Sequence, residues 1–211
     1  MELTPTVLAY LVVVAAVALL RFAELALSAR HRRTLIAAGA TPIGEPLFKW
    51  MAALHTAILA GAALEVVTLH RPFVPALAIP AMVLLVAATW TRWWVIQTLG
   101  GHWNVGVIDS TQQGVVETGP YRWVRHPNYA AVFIELLALP LIHTAWITAL
   151  LGTVAHVFVL RARVAAEDRV LLASPDYAAR MGRKPRFFPT RLTRPSRPVH
   201  HTRPAGPTSP P

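Results

Sequence analysis

Two groups of polar side chains in this sequence have the types and spacing to do chemistry. The first is GPYRWVRHPNYAAV, residues 119–132, where Tyr121, Arg122, Arg125, His126, Asn128 and Tyr129 crowd against the start of a long apolar run. Gly119-Pro120 is a turn signal, and Pro127 suits the first turn of a helix rather than its interior. The stretch therefore predicts a helix that begins near Pro127 and is capped by His126 or Arg125. A helix start offers unpaired N–H groups and partial positive charge, and with two arginines and a histidine beside it an anion site is expected. Tyr121 and Tyr129 add aromatic faces suited to an adenine ring or a sulfonium cation. The same residue types also mark membrane interfaces, so the residues alone leave that reading open. The second group is RARVAAEDRVL, residues 161–171. Arg163 and Glu167 stand four apart, on one helical face. They are either an ordinary helical ion pair or a site pair, with a cation for an anionic oxygen and a carboxylate for a cationic group.

Other polar residues are weaker candidates. His55 and Glu65 lie within an apolar segment, where ionisable groups are functional candidates by default; Glu65 is near the segment's end and within reach of Arg71. Trp90, Trp93 and Trp94 read as an interfacial belt. His102, Trp103 and Asn104 open a polar loop suited to ligand contact or to packing. The chain has no cysteine, which excludes disulfides, thiolate nucleophiles and cysteine-based zinc sites. Adjacent His200-His201 is not a metal-site pattern, and no metal is expected.

The elements that must position these groups are those of an integral membrane protein. The 211 residues are 55% hydrophobic and 14% charged, where soluble domains carry about 25% charged residues. Val7–Leu20, Trp50–Leu69 and Val74–Ala88 are nearly free of charge, and Ala130–Leu160 holds only Glu135 and two histidines. Blocks of this kind span bilayers as helices. Val7–Leu20 is followed by Arg21 and Glu24, not by a small-residue cleavage site, and no basic segment precedes it, so it reads as a retained span.

The expected fold is all-α, with about five transmembrane helices. Three spans, near Val7–Leu27, Phe48–Leu69 and Val74–Ile96, fill residues 1–99. Arg21 and Glu24 share a face of the first and can pair. A loop with Gly39, Pro42, Gly44 and Pro46 covers Thr34–Lys49. Pro75 suits the first turn of the third span, and Pro80 kinks it or marks its true start. Residues 100–188 form a core: a polar segment up to Arg125, a helical hairpin from Tyr129–Ile142 and Ala145–Leu160, and an extension of the last helix past the membrane to Leu172. Residues 189–211, rich in Pro, Arg, Thr and Ser, read as a disordered basic tail.

The net charge is +10. Because many arginines flank spans, the charge reads as contact with anionic lipid and as topology control, not as nucleic-acid binding. Arg30, Arg32, Arg33 and Lys49 follow the first span, Arg92, Arg122 and Arg125 lie at or after the third, and only Arg71 separates the second and third. The positive-inside rule then predicts an N-terminus outside, a C-terminus in the cytoplasm, and both chemical groups on the cytoplasmic side of a plasma or inner membrane.

GPYRWVRHPNY, a hydrophobic hairpin and then RVAAED together resemble the isoprenylcysteine carboxyl methyltransferase family, over about Gly100–Pro189. The family's pattern is G-x-Y…RHPxY followed by R-x-x-x-E-E; Asp168 stands here for the second acid. The N-terminal half, RFAELALSARHRRTLIAAGA and LHTAILAGAALEV, is similar to a bacterial branch that methylates hydroxyls of alkylpyrones and phenolic lipids made by type III polyketide synthases. Arg30-His31 stands where that branch has Arg-Asn, and Glu45-Pro46-Leu47 where it tends to have His-Tyr-Pro. The resemblance implies a membrane-embedded O-methyltransferase that uses S-adenosylmethionine on a lipophilic acceptor from the bilayer. A pyrone or phenolic hydroxyl is the expected acceptor, and an isoprenylcysteine-type carboxylate the alternative. It implies cofactor contact by Gln113, Gly114, Val115, Val116, Tyr121, His126, Pro127, Asn128, Tyr129 and Glu167, and a substrate-orienting, catalytic role for Arg163. Membrane sterol reductases share a similar C-terminal helical arrangement, which leaves an NADPH-dependent lipid reductase as a reading of another class, beside a non-catalytic membrane protein.

Overall fold

The structure, a computed structural model, describes residues 3–42, 47–106, 108–109 and 114–189. Six α-helices carry the fold among the described residues: α1 (Pro5–Ala37), α2 (Leu47–Thr68), α3 (Pro75–Leu99), α4 (Pro127–Leu141), α5 (Trp146–Leu171) and α6 (Pro175–Met181). Of these, α1, α2, α3 and α5 are long and apolar enough to cross a membrane, and α4, with 15 residues, is shorter. The protein is an all-α membrane protein, and α4 and α5 form the hairpin expected from the sequence. Among the described residues the extended backbone forms one short antiparallel pairing, β1 (Thr41–Pro42) with β2 (Ile108–Asp109).

The helix ends follow local chemistry. The Thr4 hydroxyl accepts from the backbone N–H of Val7 to cap α1, and Pro5, Pro75 and Pro127 each sit in a first turn, where a missing N–H costs nothing. Pro80 lies inside α3, so the start of that helix is Pro75. The first helix exceeds its expected span by ten residues at the C-terminal end. At about 1.5 Å per residue its 33 residues reach roughly 50 Å, well beyond a hydrocarbon core of about 30 Å, so its last turns, with Arg30, His31, Arg32 and Arg33, project past the membrane. The expected loop therefore begins after Ala37, at Gly39, whose φ of +91° suits a residue without a side chain; Gly44 and Pro46 lie outside the described residues, as does the tail beyond Pro189.

The bundle is packed at one end and hollow at the other. Val7, Tyr10, Val14 and Val17 of α1 meet Leu59, Ala62 and Val66 of α2, Ala81 and Leu85 of α3, and Ala138, Leu139 and Ile142 around the α4–α5 turn. Gly152 lets α5 approach α2, since a Cβ there would stand 2.8 Å from Ile58 Cγ1. Leu19, Phe22, Val83, Trp90, Trp93, Leu150 and Phe158 are exposed, as lipid-facing side chains are. Across the middle runs a belt of charge. Arg21 pairs with Glu24 at 2.8 Å and with Glu135 at 3.0 Å, and Arg92 pairs with Glu24 at 2.5 Å and Glu135 at 3.6 Å, tying α1, α3 and α4 together.

Glu65 has a structural task. Ala145, at the start of α5, has no side chain with which to cap it. Glu65 reaches across from α2 and accepts from the backbone N–H groups of Ile147 (3.1 Å) and Thr148 (2.7 Å) and from the Thr148 hydroxyl (2.8 Å), while Arg71 pairs with it at 2.7 Å. Glu65→Ala leaves those donors without an acceptor. The expected cost is about 1–3 kcal/mol, read as a lower melting temperature of the detergent-solubilised protein.

Candidate functional site

At the hollow end, the start of α4 lies against the last turns of α5. His126 is the N-cap of α4, but its side chain does not cap the helix. The ring turns to α5 instead, where its Nε2 is 2.8 Å from Asp168 Oδ1. Asp168 is almost wholly buried and also takes Arg125 (Nη1, 3.2 Å) and Arg186 (Nε, 2.8 Å). The backbone adds a strap: Arg125 N–H donates to Pro185 O and His126 N–H to Arg186 O, so the segment after α6 is laced to the α4 entrance. Lys184 Nζ fastens the same segment to Tyr121 O at 3.0 Å. None of these partners of Asp168 lies on its own helix, and each is far from it in sequence, which is why spacing alone could not find them.

Beside this junction, one turn into α4, Tyr129 stands between the two residues of the second motif. Its hydroxyl accepts from Arg163 Nε at 2.7 Å and donates to Glu167. Arg163 is buried, and its remaining nitrogens reach Met51 Sδ (Nη1, 3.5 Å) and the carbonyl of Val105. The guanidinium also lies 5.7 Å from the centre of the Tyr129 ring. Its orientation is thus fixed by α2, α4 and the loop that precedes α4. Ser28 and Asn104 hold that loop in turn: Ser28 Oγ accepts from Val105 N–H at 2.9 Å, and Asn104 Nδ2 donates to Ser28 O at 3.0 Å.

A cavity of about 350 Å³ joins these groups. Gly114, Val115, Val116, Tyr121, His126, Asn128, Tyr129, Arg163 and Glu167 all line it. Pro127 is buried at the first turn of α4 and does not line the cavity, and Gln113 lies outside the described residues. Trp103, Asn104 and Arg125 also line it, as do Leu171, Tyr177 and Met181, which the sequence did not single out. Away from Tyr121 the walls turn apolar, with Phe48, Met51, Leu59, Val132 and Val159. Burial, and then the charge of Glu167, push the phenols of Tyr121 and Tyr177 up from their ordinary value. Both remain neutral O–H donors at the polar end.

The polar end fits a nucleoside sulfonium. Asn128 Oδ1 and Arg125 Nε are buried beside the cavity without hydrogen-bond partners among the described residues. A bound molecule with donors and acceptors of its own would satisfy both. Glu167 offers a carboxylate, a quarter exposed, for a cationic group, and Tyr121 and Tyr129 offer aromatic walls.

Comparison with known sequences agrees with this geometry. Residues 81–173 match the isoprenylcysteine carboxyl methyltransferase family. They span most of α3, the polar loop, the hairpin and the Arg163–Asp168 motif. The chain is 31% identical over 152 residues to the uncharacterized protein YpbQ of Bacillus subtilis, covering 72% of this chain and 89% of that one. It is 29% identical over 153 residues to an uncharacterized protein of Haemophilus influenzae, covering 72% and 88%. From the cavity, the two motifs that meet in it and these likenesses, the chain belongs to the isoprenylcysteine carboxyl methyltransferase family of membrane methyltransferases.

Proposed function

We propose that this protein is an O-methyltransferase that binds S-adenosylmethionine at the polar end of the cavity and methylates an acidic oxygen of a lipophilic acceptor lying along its apolar walls. The observation that carries the reading is Tyr129: its hydroxyl joins the cation of Arg163 to the carboxylate of Glu167 where the polar and apolar walls meet. When bound, S-adenosylmethionine supplies a methyl group made electrophilic by a sulfonium. The chain's own residues orient and enclose. Glu167 faces the positive end, and Tyr121, His126, Asn128 and Tyr129 hold the nucleoside side. Arg163 holds the acceptor oxygen in a charge-assisted contact. Alignment of this kind is the main contribution that such a displacement asks of a protein. The enolic hydroxyl of a pyrone is acidic enough to arrive as its anion. A less acidic phenolic hydroxyl hands its proton to His126 or Glu167, the two bases at the junction.

The expected acceptor is the hydroxyl of an alkylpyrone or phenolic lipid, supplied by type III polyketide synthase chemistry. The basic residues Arg30, Arg32 and Arg33, Arg122 and Arg125, and Arg161 gather at the cavity end, which supports a cytoplasmic cavity mouth and an N-terminus outside.

The test is binding and transfer by detergent-solubilised protein. S-adenosylhomocysteine is expected to bind and NADPH not to bind. With labelled S-adenosylmethionine, methyl is expected to pass to an alkylpyrone or alkylresorcinol in preference to a farnesylcysteine analogue. Binding of NADPH with none of S-adenosylhomocysteine overturns the reading, and preference for the farnesylcysteine analogue moves the acceptor to a carboxylate.

A further inference from the structure

Deeper in the same cavity are two histidines that this reaction does not use. His55 of α2 and His156 of α5 both line it, with ring centroids 5.2 Å apart. His156 is 2% exposed, and neither of its ring nitrogens has a hydrogen-bond partner among the described residues; His55 Nε2 has none either. Phe133 of α4 stacks on His156 at 6.2 Å and 29°. Histidines that serve a core are hydrogen-bonded, because an unpaired buried polar group is costly. Here three unpartnered ring nitrogens belong to side chains that line a cavity in a membrane protein.

Their depth is set by helix geometry. Met51 touches Arg163, and His55 is four residues further along α2. His156 precedes Arg163 by seven residues on α5, and Phe133 follows Tyr129 by four on α4. At 1.5 Å per residue these steps are about 6–10 Å. The chain thus lays down two levels in one cavity: Arg163, Met51 and Tyr129 at the first, and His55 and His156 one to two turns below, with Phe133 stacked on His156.

Resting on the methyltransferase reading, we propose that His55 and His156 form a hydrogen-bonding subsite for a second oxygen on the acceptor's ring, below the oxygen that Arg163 holds. A neutral imidazole has one donor and one acceptor nitrogen, so the pair matches a ring hydroxyl or a ring carbonyl. Val132 of α4, which lines the cavity, supplies an apolar side for the ring, and Phe133 holds the His156 ring by stacking on it. An isoprenyl chain has no group for these nitrogens and would leave them unpaired, whereas a doubly oxygenated ring spans from one level to the next. The subsite therefore selects lipids with an oxygenated ring over lipids with a purely hydrocarbon tail.

The experiment measures equilibrium binding and methyl transfer for two probes with the same tail, an alkylresorcinol and the meta-alkylphenol, using the full chain in lipid nanodiscs. The wild type is expected to bind the resorcinol about tenfold or more tightly than the phenol, the scale set by leaving buried polar groups unpaired. His55→Phe and His156→Phe are expected to abolish that preference, read as the ratio of resorcinol to phenol dissociation constants within each variant, and His156→Gln, which keeps a donor and an acceptor, to retain part of it. Helicity by circular dichroism checks the fold; where a phenylalanine variant fails that check, the wild-type comparison and His156→Gln decide. Equal binding of the two probes by the wild type, or a preference that survives both phenylalanine variants, overturns the subsite. The two readings fail separately. Methyl transfer to both probes without preference keeps the methyltransferase and removes the subsite. Preferential binding without methyl transfer keeps a selective subsite and removes the methyltransferase.

Discussion

Replacing Arg163 with alanine is expected to lower single-turnover methyl transfer by about 10²–10³-fold, the loss that follows removal of one preorganised donor to a reacting oxygen, while S-adenosylhomocysteine affinity stays near that of the wild type. The asymmetry follows from where the guanidinium is anchored. Tyr129, Met51 and the Val105 carbonyl hold it on three sides at the boundary between polar and apolar walls, the place that the proposed function gives to the acceptor oxygen. Arg163→Lys keeps the charge and loses the planar fork and its anchors, and most of the loss is expected to remain. Glu167→Ala has the opposite profile. It removes the carboxylate that the proposed function sets against the cofactor, and a lost charge-assisted contact of about 1.5–3 kcal/mol corresponds to roughly 10–100-fold in S-adenosylhomocysteine affinity. Tyr129→Phe lies between the two, because its hydroxyl serves both neighbours. Equal and small losses in binding and turnover for Arg163→Ala and Glu167→Ala would reduce the pair to a helical ion pair.

Which parts of this arrangement were readable in advance follows from the range of the interactions. Pro127 at a helix start, Pro75 in a first turn, the Arg21–Glu24 pair and the Glu65–Arg71 pair are local or nearly local, and one stretch of sequence contains both partners. The apolar spans are likewise a property of a single window. The end of α1 was not legible, because the basic cluster Arg30–Arg33 reads as a boundary charge, whereas arginine is a good helix former and the helix simply continues into water. Charge in the apolar blocks misled in the other direction. Arg92 and Glu135 look like isolated costs in their own segments and become one belt only when α1, α3 and α4 are brought together. His55 and His156 are invisible as a pair for the same reason, since they are 101 positions apart and their meeting depends on the close approach of α2 and α5. The role of Glu65 was half visible: its partner Arg71 is six residues away, but the α5 N–H groups that it caps are not.

Asp168 is where this long-range part of the site is concentrated, and its removal is expected to cost more stability than any other single change near the cavity. One buried carboxylate accepts from His126 and pairs with Arg125 and Arg186. Breaking a buried charge pair on one side leaves the other charge uncompensated, at about 3–5 kcal/mol. Arg186 contributes little to that figure, because its side chain is about half exposed and water replaces the lost partner. The cost therefore falls on Arg125 and His126, which sit at the mouth of α4 and line the cavity. Asp168→Ala is expected to lower the thermal stability of the solubilised protein sharply and to weaken S-adenosylhomocysteine binding with it, since the α4 entrance loses the group that aims the His126 ring. Asp168→Asn keeps an acceptor for His126 but no charge for Arg125, and is expected to fall between Asp168→Ala and the wild type. Arg186→Ala is the control: it touches the same carboxylate from the solvent side and is expected to change stability by less than about 1 kcal/mol. Wild-type stability and affinity in Asp168→Ala would mean that the backbone strap from Pro185 and Arg186 holds the α4 entrance by itself. The second acid of the motif would then contribute nothing to the geometry of that entrance. A loss confined to Asp168→Ala and Asp168→Asn, with Arg186→Ala unaffected, assigns the entrance geometry to the buried carboxylate and makes it the positioning residue for the His126 side of the site.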